Sequence, residues 1–138
     1  MSDSNTEPVA ADRPAACWSI DLERLLQYRR SFASLAESSL CRNCQKELTS
    51  GGKPHSDAEL MARIRECCAN QPDFISARQP LMESVFRIFL AGGNQPLSLE
   101  QLGQQLSERR GGGYHVAEAA LSRLLQTDRY YGLGQRPC

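Results

Sequence analysis

Apolar residues recur at helical spacing from about residue 19 onward, and this period predicts a mainly α-helical protein. The first helix should have Ser19 as its N-cap and continue to Thr49, with a break near Ser38 and Ser39. Residues 1–16 are polar, include two prolines and lack periodicity, so we expect them to form a disordered tail.

A second helix is predicted after a short turn that carries glycine and proline at residues 51–54. Ser56 and Glu59 have the spacing of a capping box at its start, and Pro72 marks its end. The two helices and their turn predict an N-terminal helical hairpin that occupies residues 17–75.

The C-terminal part, residues 76–138, has a different pattern. Leu81–Ala91 is apolar on most sides, which predicts a buried helix. A second capping box at Ser98–Gln101 opens the next helix, and a third helix is expected over Val116–Thr127. Tyr130–Gly134 is predicted to be a short strand or turn.

This order of elements resembles a winged-helix domain, a variant of the helix-turn-helix, over residues 78–136. The residues that carry the likeness are Leu81–Leu90, Leu97–Leu102, Ala119–Leu125 and Tyr130–Gly134. The chain departs from the common pattern in its three-glycine turn before the last helix. It also has five residues after Leu133, too few for a full two-stranded wing, so a short or truncated wing is expected.

The winged-helix resemblance implies that the last helix lies in the major groove of double-stranded DNA. On this chain, Arg123 and Gln126 would read base edges, because guanidinium and amide groups match guanine and adenine. The residues implied to contact phosphate are Arg109, Arg110, His115, Arg129 and Arg136.

Four of the six cysteines form two close pairs, Cys41 with Cys44 and Cys67 with Cys68, on either side of the predicted turn. Folding the hairpin places the pairs opposite each other, and two cysteines separated by two residues often form half of a tetrahedral zinc site. The adjacent pair is less regular, because neighbouring helical side chains diverge by about 100°. His55 is therefore an alternative ligand in place of one of them.

The same cysteines also fall where the helical pattern predicts core residues, and free cysteine is often buried. The pairs thus predict one of three outcomes: a bound metal, a redox-active disulfide or inert core thiols. An iron–sulfur cluster would also accept four thiolates, although the cysteine spacing matches neither ferredoxin pattern. Zinc is favoured, because nothing else in the chain indicates a cluster environment. Cys17 and Cys138, near the ends of the sequence, are expected to take no part.

Composition excludes several classes of protein. The 138 residues contain 16 basic and 16 acidic side chains, so overall charge gives no indication of nucleic-acid binding. No apolar run reaches the about 20 residues that span a bilayer, and the first residues lack the apolar segment of a secretory signal. A cytoplasmic protein is therefore expected, without a membrane partner. An enzyme is not expected, because neither histidine has a matched nucleophile and carboxylate nearby.

Taken together, the sequence predicts a DNA-binding transcriptional regulator. The N-terminal helices would form a homodimer that spaces two recognition helices about one DNA turn apart. Two other classes remain open: an adaptor whose winged helix docks onto a protein complex, and a cysteine-based metal or redox sensor.

Overall fold

The computed structural model describes residues 16–50, 55–111 and 113–138. The predicted tail up to residue 15, the predicted turn at 51–54 and part of the three-glycine loop lie outside the described residues. The elements run in the order β1 (Ala16–Ile20), α1 (Leu22–Gln27), α2 (Phe32–Glu37), α3 (Arg42–Ser50), α4 (Asp57–Glu66), a 3₁₀ turn (Cys68–Asn70), α5 (Leu81–Ala91), β2 (Leu97–Ser98), α6 (Leu99–Arg110), α7 (Glu118–Thr127) and β3 (Leu133–Pro137).

The chain is mostly helical, as predicted, and adds a small three-stranded antiparallel sheet. Both predicted capping boxes are present. The Ser56 hydroxyl accepts from the Glu59 N–H at 3.1 Å, and the Glu59 carboxylate accepts from the Ser56 N–H at 2.8 Å. Ser98 and Gln101 exchange the equivalent pair of bonds at the start of α6. These local side-chain bonds fix where α4 and α6 begin.

The prediction that Ser19 caps the first helix is wrong, because Ser19 lies inside the buried strand β1. Asp21 is the N-cap of α1 instead, and its carboxylate accepts hydrogen bonds from the Glu23 and Arg24 N–H groups at 3.0 and 3.4 Å. Ala16, which was placed in the tail, begins β1.

The single helix expected to run to Thr49 is also wrong, since three short helices occupy this stretch. Arg29 has a left-handed φ of 57°, which ends α1. The Arg30 N–H then donates to the Leu25 carbonyl at 2.8 Å. Ser31 then caps α2 through a 3.2 Å bond from the Ser34 N–H. The break near Ser38 is present, because α2 ends at the preceding residue.

β1 is the central strand and pairs antiparallel with β2 on one side and β3 on the other. Trp18 lies opposite Leu97 of β2 and Gln135 of β3. Asn94 extends the pairing beyond β2, since its amide bonds the Ile20 N–H at 2.7 Å and the Ile20 carbonyl at 2.9 Å. The last strand therefore pairs with the first strand of the described residues.

Cys17 and Cys138 form a disulfide across this pairing, with Cα atoms 5.2 Å apart. The expectation that they take no part in cysteine chemistry is therefore wrong, because the sheet brings the ends of β1 and β3 together. The bridge links residues 121 positions apart. Closing a loop of this length stabilises a fold by roughly 4–5 kcal/mol in the chain-entropy estimate.

The core is built around α5, whose Val85, Phe86, Ile88 and Phe89 are buried, as predicted for this helix. The same cluster of buried side chains includes residues of both predicted units: Leu25, Leu60 and Ile64 before residue 76, and Leu102, Leu121, Leu125 and Leu133 after it. Across the described ranges, no helix has the length and apolarity needed to cross a membrane.

Replacing Gly132 by alanine should destabilise the fold by about 2–4 kcal/mol, because the residue combines a positive φ with a close approach. Its φ is 72°, and an added Cβ would lie 2.9 Å from Leu25 Cδ2 and 3.2 Å from the Asp21 carbonyl oxygen. Chemical denaturation of the variant measures the loss.

Gly103→Ala is the matched control. Gly103 lies within α6, and an added Cβ would meet nothing within 4 Å, so this change should stabilise the protein by about 0.5–1 kcal/mol. Equal effects of the two substitutions would contradict the placement of Gly132 against α1.

Candidate metal centre

The four paired cysteines meet where the start of α3 contacts the end of α4. Cys41 directly precedes α3 and Cys44 lies in its first turn, whereas Cys67 directly follows α4 and Cys68 begins the 3₁₀ turn. All four Sγ atoms lie within 4.8 Å of one another. The structure thus brings together the four cysteines that the sequence predicted as metal ligands.

Cys41 is held at the N-terminus of α3. Its carbonyl accepts from the Gln45 N–H at 2.9 Å, which makes Cys41 the residue that opens the helix. The backbone N–H of Cys44 bonds the Cys41 sulfur and lowers the pKa of Cys41 from 9.0 to about 7, with help from the neighbouring thiols and against a smaller effect of burial. A helix N-terminus favours a thiolate for this reason.

The adjacent pair reaches the cluster because α4 ends between Glu66 and Cys67. Cys67 has left the helical conformation, with φ −123° and ψ −65°, and the chain then turns through the 3₁₀ segment. The divergence expected of neighbouring helical side chains therefore does not apply, and both sulfurs join the same cluster.

The distance between two of the sulfurs matches the ligand shell of one tetrahedral ion. Cys41 Sγ and Cys67 Sγ are 3.9 Å apart. Zinc–sulfur bonds of about 2.3 Å in a tetrahedron place sulfurs roughly 3.8 Å apart. The Cys68 sulfur is oriented by the Cys41 N–H, which donates to it at 3.1 Å.

Two of the four cysteines are buried and two are half-exposed. Cys44 and Cys68 are 1% and 0% exposed, whereas Cys41 and Cys67 are partly accessible to solvent. Burial raises the pKa of Cys44 and of Cys68 above the ordinary value for a thiol. A bound cation would reverse this effect, because it stabilises the thiolate form.

Charged groups lie beside the cluster. The Arg63 guanidinium bonds Glu47 at 2.8 Å, and its pKa is raised first by Glu47 and then by the nearby Cys44 and Cys67. A polar cleft of about 480 Å³ is lined by Cys41, Cys68 and eight further residues: Ser39, Leu40, Arg42, Gln45, Gln71, Asp73, Phe74 and Arg87. Neither feature could be predicted from the sequence, since both depend on which helix ends come into contact.

His55, the alternative ligand, is not among the four residues whose ligand atoms converge. It lines a separate cleft with Glu59 and Arg63. Its Nε2 is buried without a hydrogen-bond partner among the described residues. Both adjacent cysteines, Cys67 and Cys68, belong to the cluster, so His55 replaces neither of them.

Three of the residues implied to contact phosphate bind the protein itself. Arg109 donates to the Ala69 carbonyl at 3.2 Å, and Arg136 donates to the Ser19 hydroxyl at 3.1 Å. Arg110 donates to the Gln79 carbonyl at 2.9 Å and to a serine hydroxyl of α5 at 2.7 Å, and it stacks on a tyrosine ring. These arginines hold loops and strands in place, a role that sequence periodicity does not reveal.

The other four residues of the predicted DNA surface, His115, Arg123, Gln126 and Arg129, are exposed. The Gln126 amide also donates to Ser122, one turn earlier in α7, at 3.0 Å. His115 lies in a cleft between α6 and α7 whose lining includes three carboxylates, those of Glu100, Glu108 and Glu118. The predicted surface thus carries both signs of charge.

Comparison of this chain with protein families, with curated proteins and with solved structures finds no match. The resemblance to winged-helix domains therefore depends on the order of elements in the chain. Function has to be inferred from the cysteine cluster and from the exposed side chains of α7.

In metal-free, reduced protein, Cys41 should be the first of the four cysteines to react with iodoacetamide. Its pKa of about 7 makes half of it thiolate near neutral pH, whereas burial keeps Cys44 and Cys68 protonated. Peptide mass spectrometry over a pH series should show labelling of Cys41 rising through about pH 7.

Denatured protein is the control, in which all four thiols should be labelled alike and at higher pH. Preferential labelling of Cys44 in the folded protein would show that the Cys41 sulfur does not receive the helix N–H.

Proposed function

We propose that this chain is a zinc-binding protein that holds one ion on Cys41, Cys44, Cys67 and Cys68. The observation that carries the proposal is the convergence of these four sulfurs within 4.8 Å. Four protein ligands fill a tetrahedral shell and leave no position for a substrate, which is typical of structural rather than catalytic zinc. We accordingly propose no enzymatic activity.

Sulfur spacing supports a single ion over an iron–sulfur cluster. In a four-iron cluster each thiolate binds a different iron atom, and in a two-iron cluster the thiolates bind in pairs to two irons, so at least some of the sulfurs lie farther apart than ligands that share one ion. The 3.9 Å between Cys41 and Cys67 fits a shared ion. Zinc and iron both accept four thiolates in a tetrahedron, and zinc is proposed because it does so without redox chemistry.

The coexistence of oxidised and reduced cysteines also supports a bound metal. The chain has the Cys17–Cys138 disulfide and four free thiols close together. Conditions that maintain the disulfide would tend to oxidise such neighbouring thiols. A coordinated ion slows this oxidation, because the metal shares the sulfur electron pairs that would attack an oxidant.

The metal would stabilise the contact between α3 and α4. Each helix supplies its ligands from one end, so the ion ties the two ends together. The formal charge of a divalent ion with four thiolates is −2, and Arg63 lies beside the cluster to offset part of it.

Protein purified without oxygen or chelator should contain about one zinc per chain by elemental analysis and should be colourless. Cys44→Ser should lower zinc affinity beyond the roughly 10–100-fold loss that follows removal of an outer-shell partner. Chelation should lower the thermal midpoint of the wild type, because metal binding contributes to folding.

His55→Ala is the control and should retain the zinc, since His55 is outside the cluster. Metal-free protein that unfolds at the same temperature as the purified protein would favour inert core thiols. A coloured protein that contains iron and sulfide would favour the cluster.

A second proposed function is DNA binding through α7 in transcriptional regulation. The observation that favours it is the exposed outer face of α7, where Arg123, Gln126 and, just beyond the helix, Arg129 are accessible. The order α5, β2, α6, α7, β3 also follows that of a winged-helix domain.

Two leucines support the proposed homodimer through the N-terminal helices. Leu22 and Leu26 lie on one face of α1 and are 39% and 73% exposed.

The mixed charge of the surface around α7 leaves an adaptor role as the rival. Salt dependence separates the two roles, because phosphate contacts release counterions and make DNA affinity fall steeply with salt. An adaptor would show no such binding to duplex DNA.

Fluorescence anisotropy with a labelled mixed-sequence duplex should detect binding that weakens with salt. Replacing Arg129 by alanine should reduce the slope of log affinity against log salt by about 1, for the one phosphate contact that is lost. Arg78→Ala, which removes an exposed cation from the loop before α5, should leave the slope unchanged. Absence of binding even at low salt would exclude the DNA function.

A further inference from the structure

The two half-exposed cysteines of the cluster, Cys41 and Cys67, also have sulfurs that lie 3.9 Å apart. We propose that Cys41 is an oxidation site for a small peroxide and that Cys67 is the resolving thiol, which then forms a disulfide with Cys41. Formation of the Cys41–Cys67 disulfide releases the metal. Release of the metal rests on the proposed zinc site, whereas the pairing of the two cysteines does not.

Backbone position favours this pair over the others. A disulfide needs sulfurs about 2.0 Å apart, so the two sulfurs must approach by roughly 2 Å. Cys41 precedes α3 and Cys67 follows α4, and the chain at helix ends moves more easily than inside a helix. Cys44 lies within α3, where the hydrogen bonds of the helix hold its backbone.

Hydrogen bonding and burial disfavour Cys68. Its sulfur accepts the Cys41 N–H at 3.1 Å, and its side chain is fully buried. Pairing of Cys68 with Cys41 would break this bond and would leave a backbone N–H without its acceptor. The Cys41 N–H donates to the sulfur of Cys68 and not to that of Cys67, so pairing of Cys67 with Cys41 does not break this bond.

Solvent access favours Cys41 as the first sulfur to react. Cys41 lines the open polar cleft of about 480 Å³, which is large enough for a peroxide molecule. Cys67 does not line this cleft. An oxidant that enters the cleft therefore meets Cys41 before it meets its partner.

The reaction consumes one peroxide and two thiols. The Cys41 thiolate attacks a peroxide oxygen, the O–O bond breaks, and the departing hydroxide takes up a proton to become water. Cys41 is then a sulfenic acid. The Cys67 thiolate attacks the Cys41 sulfur, the S–O bond breaks, and a second water leaves after protonation. The thiols lose two electrons, the peroxide gains two, and the ion loses two of its four ligands.

The test treats the zinc-loaded full chain with stoichiometric hydrogen peroxide. Zinc release is followed with a colorimetric chelator, and disulfides are mapped by mass spectrometry of peptides kept unreduced. We expect zinc release and a Cys41–Cys67 cross-linked peptide to appear at the same rate, with Cys17–Cys138 present throughout as the internal reference. In Cys67→Ser, dimedone should trap the sulfenic acid on Cys41.

Metal-free, reduced wild-type protein is treated in parallel and should give the same cross-link. This arm separates the two proposals. If the protein binds no zinc but forms the Cys41–Cys67 bridge, only the proposed zinc site is contradicted. A predominant Cys41–Cys44 or Cys67–Cys68 bridge in either arm would overturn the oxidation site. Zinc-loaded protein that stays metal-bound and unbridged would overturn the coupling.

Discussion

Contact between two helix ends, the start of α3 and the end of α4, determines the chemistry available to this protein. Helix ends are the positions where backbone N–H and carbonyl groups lack partners within the helix. Here the free N–H groups at the start of α3 meet sulfur atoms: Cys41 receives the N–H of Cys44, and Cys68 receives the N–H of Cys41. The four thiols are therefore not interchangeable. The helix N–H lowers the pKa of Cys41 to about 7, while burial raises the pKa of Cys44 and of Cys68.

The second constraint is the central position of β1, which joins the beginning of the described chain to its end. β1 hydrogen-bonds to both β2 and β3, and the Cys17–Cys138 disulfide covalently closes the pairing with β3. This arrangement also fixes the segment that follows α7, because the Asp21 N–H bonds the Gly132 carbonyl at 2.8 Å. The chain that follows α7 is therefore held in place by the Asp21–Gly132 hydrogen bond and by the pairing of β3 with β1. Such support would suit the recognition surface that we propose for α7.

Features with a local cause could be predicted from the sequence, and features that depend on distant pairing could not. The capping boxes at Ser56 and Ser98 are set by residues three positions away, and the burial of α5 follows from its own composition. The strand β1 has no local signal of comparable strength, because its partners lie near residues 97 and 135. For the same reason, Arg110 could be recognised as a cation but not as the residue that binds the Gln79 carbonyl. The cluster was predictable as a set of four cysteines, whereas the joining of Cys67 and Cys68 required knowledge of where α4 ends.

The six cysteines divide into two systems that differ in what oxidation does to them. Cys17 lies in β1 and Cys138 directly follows β3, so their bridge adds to contacts that the sheet already makes. Cys41 and Cys67 lie on two different helix ends, and a bridge between them removes half of the sulfurs from a four-sulfur cluster. The proposed oxidation would therefore act differently on the two systems, because it would add a bridge to the sheet and take two sulfurs from the cluster. The two sets of cysteines can differ in this way within one fold. Strand pairing sets the environment of Cys17 and Cys138, and the contact between the ends of α3 and α4 sets the environment of the other four.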